Sequence, residues 1–469
     1  MKKNIKKFLI FIFAAQLLFC LSCSQDSFSV KRDKVTTKLY KKQKIIKIAC
    51  TSSWKKNNSL QWEGIVMAKN EINEAGGVNG AKIELIKLDD NKDKKSGLYI
   101  AYDIAKRPDI TAVIGHSNSG IAVSASQVYQ YYGLLMFSPM ATAQKLTSRG
   151  FANVFRNIPQ ATKFAKAAAA WCKSKDLKDV IICYVDTEYG EDIANAFELA
   201  CSKNDVSIVE RDSYSSIDEK AFFEKRSKWW EANFNYDAIF LAGSMPQLKT
   251  IIESIRESGV KQPIVGTDSF DYPELESWIV ENDIKDIYAL TSFDSDSDIE
   301  EYKVFRKNFE NIYGKEPDQE AVQGYEALKT IANAITKADS VKTSDLIETL
   351  KSNSWSGIIG RHYRFNQKGD IVGIEINTLD YNKIRERKIQ EKEAAEKLEA
   401  ERLEAEKLET ERLEAEKLEA EKFEVERLEA EKIEAKRLEA EKFEAERKTK
   451  MIEEGEKKNE PAIKTSEGV

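Results

Sequence analysis

The chain has 469 residues, a formal net charge of −6 and 32% charged residues, and it is long enough for two or three domains. No excess of positive charge and no basic patch with stacking aromatics is present, which argues against nucleic acid as a partner. With only two histidines, the composition argues against a metal site, and no cofactor is expected.

The first 23 residues have the pattern of a targeting segment. Four lysines precede an apolar stretch at 8–19. That stretch would span about 18 Å as a helix, short of the roughly 30 Å hydrocarbon core, so a secretory signal is favoured over a membrane span. Residues 20–23 resemble a lipobox, in which Cys23 would be lipidated and tether the mature N-terminus to a membrane. A plain signal peptide cut nearby is the alternative. Both predict an extracytoplasmic location.

Residues 24–44 are polar and basic without apolar periodicity, which predicts a flexible tether. An alternation of strand and helix patterns then begins with the apolar strand IIKIA (45–49) and the helical spacing at 60–75. Helical segments separate most of the later strands, which predicts right-handed βαβ units and parallel sheets. The further predicted strands lie at 81–90, 110–115, 134–138, 179–185, 206–212, 237–243, 263–267 and 286–293.

Three turns, at 71–80, 115–120 and 138–142, follow or join these strands. In an open α/β sheet, ligands bind in the crevice at the carboxyl ends of the strands. Ser119 begins the predicted helix 119–132 and would offer its hydroxyl beside the positive end of a helix dipole. Thr142 and the backbone N–H groups around Met140 would supply more donors. These turns predict a cleft that grips a carboxylate.

Four cysteines remain if Cys23 is lipidated, and two of them, Cys50 and Cys183, lie in apolar strand patterns. Inert, structural thiols are the favoured interpretation. A disulfide joining Cys201 to either Cys172 or Cys183 stays open, because the sequence does not choose between pairings.

A five-residue repeat of Glu, Lys or Arg, Leu and Ala runs from 384 to 454 and consists of strong helix formers. Leu398, Leu403 and Leu408 step by five residues, so they spiral around a helix instead of forming the 3.5-residue seam of a coiled coil. The simplest interpretation is an isolated charged helix on the order of 100 Å long. An oligomerising helix, or one that binds an unknown partner, is the alternative. Residues 455–469 are predicted to be disordered.

Several ordered motifs carry a family resemblance. Residues 68–90, followed by AVIGHSNSG (112–120) and FSPMATAQKLTSRG (137–150), resemble the periplasmic solute-binding proteins of the leucine/isoleucine/valine type. The similarity continues through 185–194, 263–270 and 324–335. It implies a type I periplasmic-binding-protein fold, in which two α/β lobes with parallel sheets, joined by three chain crossings, close on a ligand by a hinge motion.

Mapped onto residues 45–380, the resemblance places each lobe in two pieces. The first lobe is expected at about 45–157 and 291–356, the second at about 158–290 and 357–380, with crossings near Ile158, Thr291 and Gly357.

The resemblance also implies the residues that hold the ligand carboxylate. Ser119 and Thr142 match the hydroxyl positions of the family, and the backbone around Met140 and Ala141 matches its main-chain contact. The alternative for Ser119 is an ordinary helix N-cap.

Asp268 matches the acidic residue that pairs with the ligand ammonium group, through a charge-assisted bond worth roughly 1.5–3 kcal/mol. Its alternative is a cap on a helix beginning near Pro273, or a simple turn. Tyr189 matches a cleft-lining aromatic of the second lobe and could instead pack as a capping aromatic.

The side-chain pocket departs from the family pattern. Asn57 aligns with an aromatic position, although Trp54 lies close enough to substitute for it. Another aromatic position of the family falls near Ser244 or Met245, and an apolar pocket position falls near Glu320. Polar groups facing an aliphatic side chain would cost roughly 1–3 kcal/mol each, so a polar amino acid, an amide or a small carboxylate is as well supported as a branched aliphatic ligand.

No catalytic triad, G-x-S-x-G motif or phosphate loop is apparent, so no enzyme is predicted, and His116 is assigned a packing role. The leading hypothesis is a lipid-anchored solute-binding protein that presents a small amino-acid-like ligand to an ABC permease, a partner implied only by the resemblance. The alternatives are a ligand-binding sensor and an envelope spacer or scaffold that uses the charged helix.

Overall fold

The computed structural model describes residues 28–55, 59–295 and 297–456. The chain divides into two compact units, Met1–Glu386 and Arg387–Val469, and the first contains two lobes. The predicted signal segment, with Cys23, and the end of the predicted disordered tail lie outside the described residues. No helix within these ranges is long and apolar enough to cross a membrane.

The first lobe is built on a five-stranded parallel sheet with strand order β2-β1-β3-β4-β5. Its central strand β3 is buried at every position, as its continuous apolar run predicts. Apolar cores cover both faces of the sheet. The strands are β1 (Ile45–Ser52), β2 (Lys82–Asp89), β3 (Ile110–Ile114), β4 (Leu135–Ser138) and β5 (Val154–Arg156). The helices are α2 (Gln61–Glu74), α3 (Lys94–Lys106), α4 (Ser119–Tyr131), α5 (Lys145–Ser148), α11 (Glu300–Tyr313), α12 (Gln319–Ala338) and α13 (Thr343–Ser352).

The second lobe has a six-stranded sheet of order β14-β10-β9-β8-β6-β7, parallel except for β14 at one edge. Its strands are β6 (Asp179–Val185), β7 (Ser207–Tyr214), β8 (Ala238–Ala242), β9 (Ile264–Gly266), β10 (Ile287–Thr291) and β14 (Asn377–Asp380). Its helices are α6 (Ala161–Ser174), α7 (Glu188–Cys201), α8 (Lys220–Asn233), α9 (Gln247–Glu257) and α10 (Pro273–Glu281). The predicted α/β fold and the predicted strands are confirmed, with edges shifted by up to three residues.

A third, antiparallel sheet follows α13 and belongs with the first lobe. It consists of β11 (Ser354–Gly357), β12 (Gly360–Phe365) and β13 (Ile371–Val372). Phe365 lies edge-on to Phe137 and Phe155, with ring centroids 5.5 Å apart in both pairs, within the first-lobe core.

The third crossing therefore differs from the sequence expectation. Ile374 still packs in the first-lobe core, whereas Ile376 packs against the second. The chain crosses between these two residues and not near Gly357. The aromatic side chains of β12 fill a gap that the first lobe leaves open, a contact between distant segments that periodicity does not reveal.

The expectation of a flexible tether over 24–44 is wrong from residue 28 onward. Residues 28–38 form helix α1, which continues into a π-helical turn at Leu39–Gln43. The buried guanidinium of Arg32 donates to the carbonyl oxygens of Tyr132 and Ala105, and Tyr40 is buried against the first lobe. Tertiary contacts of isolated side chains hold this helix, since its sequence has no regular apolar stripe.

The predicted repeat helix is present as α14 (Tyr381–Glu456). Its first residues belong to the first unit, where the Tyr381 hydroxyl donates to the Phe270 carbonyl oxygen at 2.6 Å. In the second unit its apolar side chains are exposed, and ion pairs at i,i+4 spacing, such as Arg412 with Glu416 at 3.0 Å, run along its surface. The helix is held by charge pairs and propensity within itself.

Candidate functional site

The first-lobe side of the candidate site is formed at the carboxyl ends of β3 and β4. Gly115 ends β3 with a φ of 131°, and a Cβ there would lie 2.1 Å from the Thr51 carbonyl oxygen, so only glycine fits. The Asn118 side chain caps helix α4 by accepting from the backbone N–H of Ile121 at 3.2 Å. Ser119 is consequently the first helical residue, and the N-cap alternative for its side chain does not apply.

Ser119 connects the two strand-end loops. Its hydroxyl oxygen is 4% exposed and accepts from the backbone N–H of Ala143 at 3.3 Å, a long bond. The hydroxyl proton remains available for an acceptor at the positive end of α4.

Thr142 lies in the second of these loops, beside the buried Ala141. Its side chain is fully buried, and its hydroxyl has no hydrogen-bond partner among the described residues. A buried polar group left unpaired costs about 1–3 kcal/mol, so this hydroxyl would gain from a ligand oxygen. Met140 is partly buried and packs against the second-lobe core, so this loop lies where the lobes meet.

The second lobe contributes Asp268, in the 3-10 turn that follows β9. The carboxylate is 6% exposed and accepts from the Tyr189 hydroxyl at 3.3 Å. Helix α10 begins at Pro273 with Tyr272 at the N-cap position and no side-chain cap, so the capping alternative for Asp268 does not apply. Tyr189, in the first turn of α7, also contacts the Thr267 hydroxyl at 3.2 Å.

Burial raises the pKa of Asp268 to about 6, and the hydrogen bonds from Thr267 and Tyr189 lower it only in part. Within the described part of the chain, Asp268 makes no ion pair. A carboxylate in a water-poor site without a counter-charge favours a cationic partner.

Three more acidic residues lie near Asp268: Asp318 and Glu320 are buried and Asp271 is partly buried. Of these the sequence singled out only Glu320, as a pocket position that departs from the family pattern. Burial raises the pKa of Asp271 to about 7, that of Asp318 to about 6 and that of Glu320 to about 7. Asp271 accepts from the Thr291 hydroxyl. Asp318 caps α12 by accepting from the backbone N–H of Ala321 at 2.7 Å.

Sequence features also point to Asp271 and Asp318. Asp271 follows Asp268 within one short loop, and Asp318 precedes the apolar periodicity of α12 as an N-cap does. Their burial depends on how the lobes meet, which the sequence does not encode locally.

Contacts between the lobes surround this region. The Tyr272 hydroxyl of the second lobe donates to the Glu320 carboxylate of the first at 2.9 Å. On the other side, the backbone N–H of Gln144 donates to Asp192 at 2.7 Å. Lys145 pairs with Glu188 at 2.8 Å. The lobes are therefore in contact around the loop that contains Thr142.

Trp54 belongs to the first-lobe packing. Its indole N–H donates to the Leu88 carbonyl oxygen at 2.6 Å, and its ring lies edge-on to Trp62 at 5.6 Å. The contacts that it makes with the described residues are within the first lobe, so its role as a substitute cleft aromatic stays a prediction. Asn57 lies outside the described residues.

His116 has the packing role that the sequence favoured. Its ring is fully buried, with one nitrogen 2.8 Å from Asp90 and the other 3.1 Å from the Tyr129 hydroxyl. Both ring nitrogens are used inside the first lobe, which leaves no free nitrogen for a ligand.

The four described cysteines are buried and free, so neither disulfide pairing is formed in this structure. Burial raises the pKa of Cys172 to about 12, as expected of an inert thiol. Among the described residues, no group of histidine, cysteine or acidic side chains is arranged to hold a metal ion.

A groove of about 340 Å³ lies apart from these residues. It is lined by Gln160, Lys166 and Asp370 with others, and it includes none of the predicted ligand-binding residues.

The comparisons of sequence with a family model and with known proteins agree with one another. A family model described as periplasmic binding protein matches residues 48–373. The chain is 25% identical over 338 residues to the leucine-, isoleucine-, valine-, threonine- and alanine-binding protein of Pseudomonas aeruginosa. This alignment covers 69% of this chain and 85% of that protein. It is 24% identical over 336 residues to the Leu/Ile/Val-binding protein of Escherichia coli, with 69% and 86% covered.

Solved structures agree on the fold. An ABC transporter substrate-binding protein from Desulfitobacterium hafniense in complex with Leu is 30% identical with a TM-score of 0.64, covering 71% of this chain and 96% of that chain. A solute-binding protein of an ABC transporter from R. palustris, in complex with benzoate, is 17% identical with a TM-score of 0.64, covering 72% and 93%. At that identity the second likeness concerns the fold alone.

Proposed function

Because this chain belongs to the periplasmic binding protein family, we propose that it captures an amino acid or amino-acid-like ligand and delivers it to an ABC permease. The observation that carries the proposal is the pairing of unsatisfied donors in one lobe with an uncompensated carboxylate in the other. Thr142 and Ser119 supply the donors, and Asp268 supplies the carboxylate. An α-amino acid has the complementary pair of groups, one carboxylate and one ammonium.

The ligand carboxylate would bind at the N-terminus of α4. The hydroxyls of Ser119 and Thr142 and the backbone at Met140 and Ala141 would supply its donors. Ser119 begins α4, and its hydroxyl oxygen accepts from the backbone N–H of Ala143, next to Thr142. The helix dipole favours a negative charge there. A ligand oxygen would satisfy the Thr142 hydroxyl, which otherwise costs about 1–3 kcal/mol unpaired.

The ammonium group would bind at Asp268. Tyr189 already orients this carboxylate through its hydroxyl at 3.3 Å. A cation beside Asp268 would keep it ionised despite its burial, and such a charge-assisted bond is worth roughly 1.5–3 kcal/mol.

Capture would proceed by closure of the lobes. Contacts such as Tyr272 with Glu320 and Gln144 with Asp192 join the two lobes and can form only when they approach each other. A ligand that bridges the lobes therefore favours the closed state by its difference in affinity for the two states.

Membership of a periplasmic family supports an extracytoplasmic location. We further propose that Cys23 is lipidated and tethers the protein to a membrane. Metabolic labelling with a radioactive fatty acid tests this proposal, because Cys23→Ala should abolish the label.

The experiment that tests ligand capture is thermal melting against a panel of amino acids, amides and short carboxylates, after any co-purified ligand is removed by unfolding and refolding. A ligand that binds only the folded state raises the melting temperature saturably. A rise with compounds that carry both an α-ammonium and a carboxylate group supports the proposal. A refolded protein that responds to none of them contradicts it.

The exposed repeat helix favours a second candidate function, as a spacer or scaffold in the cell envelope. Its apolar residues Leu398, Leu403 and Leu408 are more than half exposed, so no partner within the described chain covers them. Deleting residues 387–456 should leave ligand binding intact in either case. An intact uptake rate in cells that carry this deletion would contradict the spacer role as the main function.

A further inference from the structure

Glu320 is the unusual residue of the candidate cleft. It lies in the first turn of α12 with 2% of its surface exposed, at a position where the resemblance implies an apolar pocket residue. One carboxylate oxygen accepts from the Tyr272 hydroxyl at 2.9 Å, whereas Oε2 has no partner among the described residues within hydrogen-bonding distance and angle. The Ser59 side chain lies near this carboxylate and lowers its pKa. An aliphatic ligand side chain would leave that oxygen buried and unpaired.

Tyr272 connects Glu320 to the ammonium-binding end of the cleft. Burial raises the pKa of its hydroxyl, and the charges of Glu320, Asp268 and Asp318 raise it further, so all three carboxylates lie near this ring. Asp318 is occupied by the N–H groups of Leu60 at 3.0 Å and Ala321 at 2.7 Å. Asp268 and Glu320 are left as the two carboxylates with capacity to accept from a ligand.

The positive charge near this cluster is small. Within the described residues, neither Asp268 nor Glu320 makes an ion pair. Lys92 is exposed, and its charge has the least effect of the named groups on the pKa of Glu320. Burial raises that pKa to about 7 and the charge of Asp318 adds to the rise, while Ser59 and Tyr272 lower it only in part.

A purely structural role for Glu320 would be the single bond to Tyr272 across the lobes. That bond needs one oxygen, and a glutamine would make it equally well. The second oxygen of Glu320, the partly buried Tyr272 and the neighbouring Asp268 together suit two cationic groups and not one.

We propose that the ligand is an α-amino acid with a cationic side chain, whose α-ammonium group binds Asp268 and whose side-chain cation binds Glu320 beside the Tyr272 hydroxyl. This inference rests on the proposed function and deepens it by naming the ligand class. The side chains of leucine, isoleucine and valine have no cationic group, so this chain would differ in specificity from its Leu/Ile/Val-binding relatives.

The test is calorimetric titration of the chain lacking only residues 1–23, refolded free of ligand, with L-lysine, L-arginine, L-glutamine and L-leucine. We expect lysine or arginine to bind at least about tenfold more tightly than glutamine and leucine. Tighter or equal binding of leucine or glutamine would overturn the cationic ligand and leave amino-acid capture standing. Binding of none of the four would overturn both.

A substitution separates the side-chain contact from the fold. Glu320→Gln keeps an acceptor for Tyr272 but removes the charge, so the affinity for the cationic ligand should fall at least about tenfold. Glu316→Gln, on the exposed loop before α12, is the matched control and should leave the affinity unchanged. An unchanged affinity in a folded Glu320→Gln protein would contradict the proposal. If that variant does not fold, the order of ligand affinities of the unsubstituted chain decides.

Discussion

At the residue scale, neighbouring carboxylates in one loop have different surroundings. Asp268 is buried and Asp271 is partly buried, and the loss of solvent around each carboxylate raises its pKa. Asp271 accepts a hydrogen bond from the Thr291 hydroxyl, within the second lobe. Asp268 accepts only weak hydrogen bonds, the one from Tyr189 being 3.3 Å long. The Asp271 carboxylate therefore has a structural role, whereas the Asp268 carboxylate has unused capacity to bind a ligand.

Asp268→Ala should weaken ligand binding at least about tenfold, because it removes the only partner proposed for the α-ammonium group. Calorimetric titration with the best ligand of the panel measures the effect. Asp205→Ala is the control, since Asp205 is an exposed carboxylate paired with Lys173 on the surface of the second lobe. Equal affinities of the Asp268→Ala and unsubstituted proteins would refute the assignment.

The raised pKa of Asp271 predicts that the stability of the folded protein depends on pH. Its pKa in the folded state, about 7, lies above the ordinary value of 3.8, so the folded state holds the proton more tightly than the unfolded chain. Its contribution to stability is thus present below the ordinary carboxyl pKa and is lost as the pH rises through about 7.

Asp271→Asn removes this titration while keeping an acceptor for Thr291. The melting temperature of the variant minus that of the unsubstituted protein should increase between about pH 5 and about pH 8. Scanning fluorimetry in a series of buffers measures both proteins. A difference that stays constant over this window would show that Asp271 does not titrate there.

At the element scale, α1 and α14 are helices of opposite kinds. Helix α1 has little periodicity, and single buried residues such as Arg32 and Tyr40 fix it to the first lobe. The repeat of α14 has strong helix propensity and many charge pairs, so it needs no packing surface. Local sequence therefore predicted the second and missed the first.

Arg32→Ala should lower the free energy of unfolding by about 1–3 kcal/mol, because the carbonyl oxygens of Tyr132 and Ala105 lose a charged donor. Urea denaturation measures the change. Lys34→Ala is the matched control on the exposed side of α1 and should stay within about 0.5 kcal/mol of the unsubstituted protein. A similar, small effect of both substitutions would mean that Arg32 does not hold α1 against the first lobe in solution.

At the scale of the whole first unit, the contacts between the lobes include residues other than those proposed to bind the ligand. The Asp192 carboxylate accepts from the backbone N–H of Gln144 across the lobes at 2.7 Å, and Lys145 pairs with Glu188 nearby. Bonds made only when the lobes are together add to the apparent ligand affinity, because binding and closure are linked.

Asp192→Ala should therefore weaken ligand binding about two- to tenfold, the equivalent of one net hydrogen bond of about 0.5–1.5 kcal/mol. Calorimetric titration measures the affinity, and Glu191→Ala, an exposed neighbour in the same helix, is the control. An affinity unchanged by Asp192→Ala would indicate that this contact is absent from the ligand-bound state.

The sequence by itself determined the order and type of the main elements. Continuous apolar runs such as 110–114 and 238–242 have too few residues for a helix and are separated by helical periodicity, so they predicted buried parallel strands. The five-residue repeat predicted α14 because every one of its residue types favours helix. Both patterns are formed by residues close together in the chain, so they can be recognised in a single sequence.

Tertiary structure alone decided the rest. Asn118 and not Ser119 is the N-cap of α4. The third crossing lies between Ile374 and Ile376. Glu320 contacts Tyr272 of the other lobe. Each outcome depends on residues far apart in the chain or on a choice between adjacent polar groups. Burial and charge at the cleft arise from that assembly, because a carboxylate acquires its pKa from the groups that surround it and not from its neighbours in sequence.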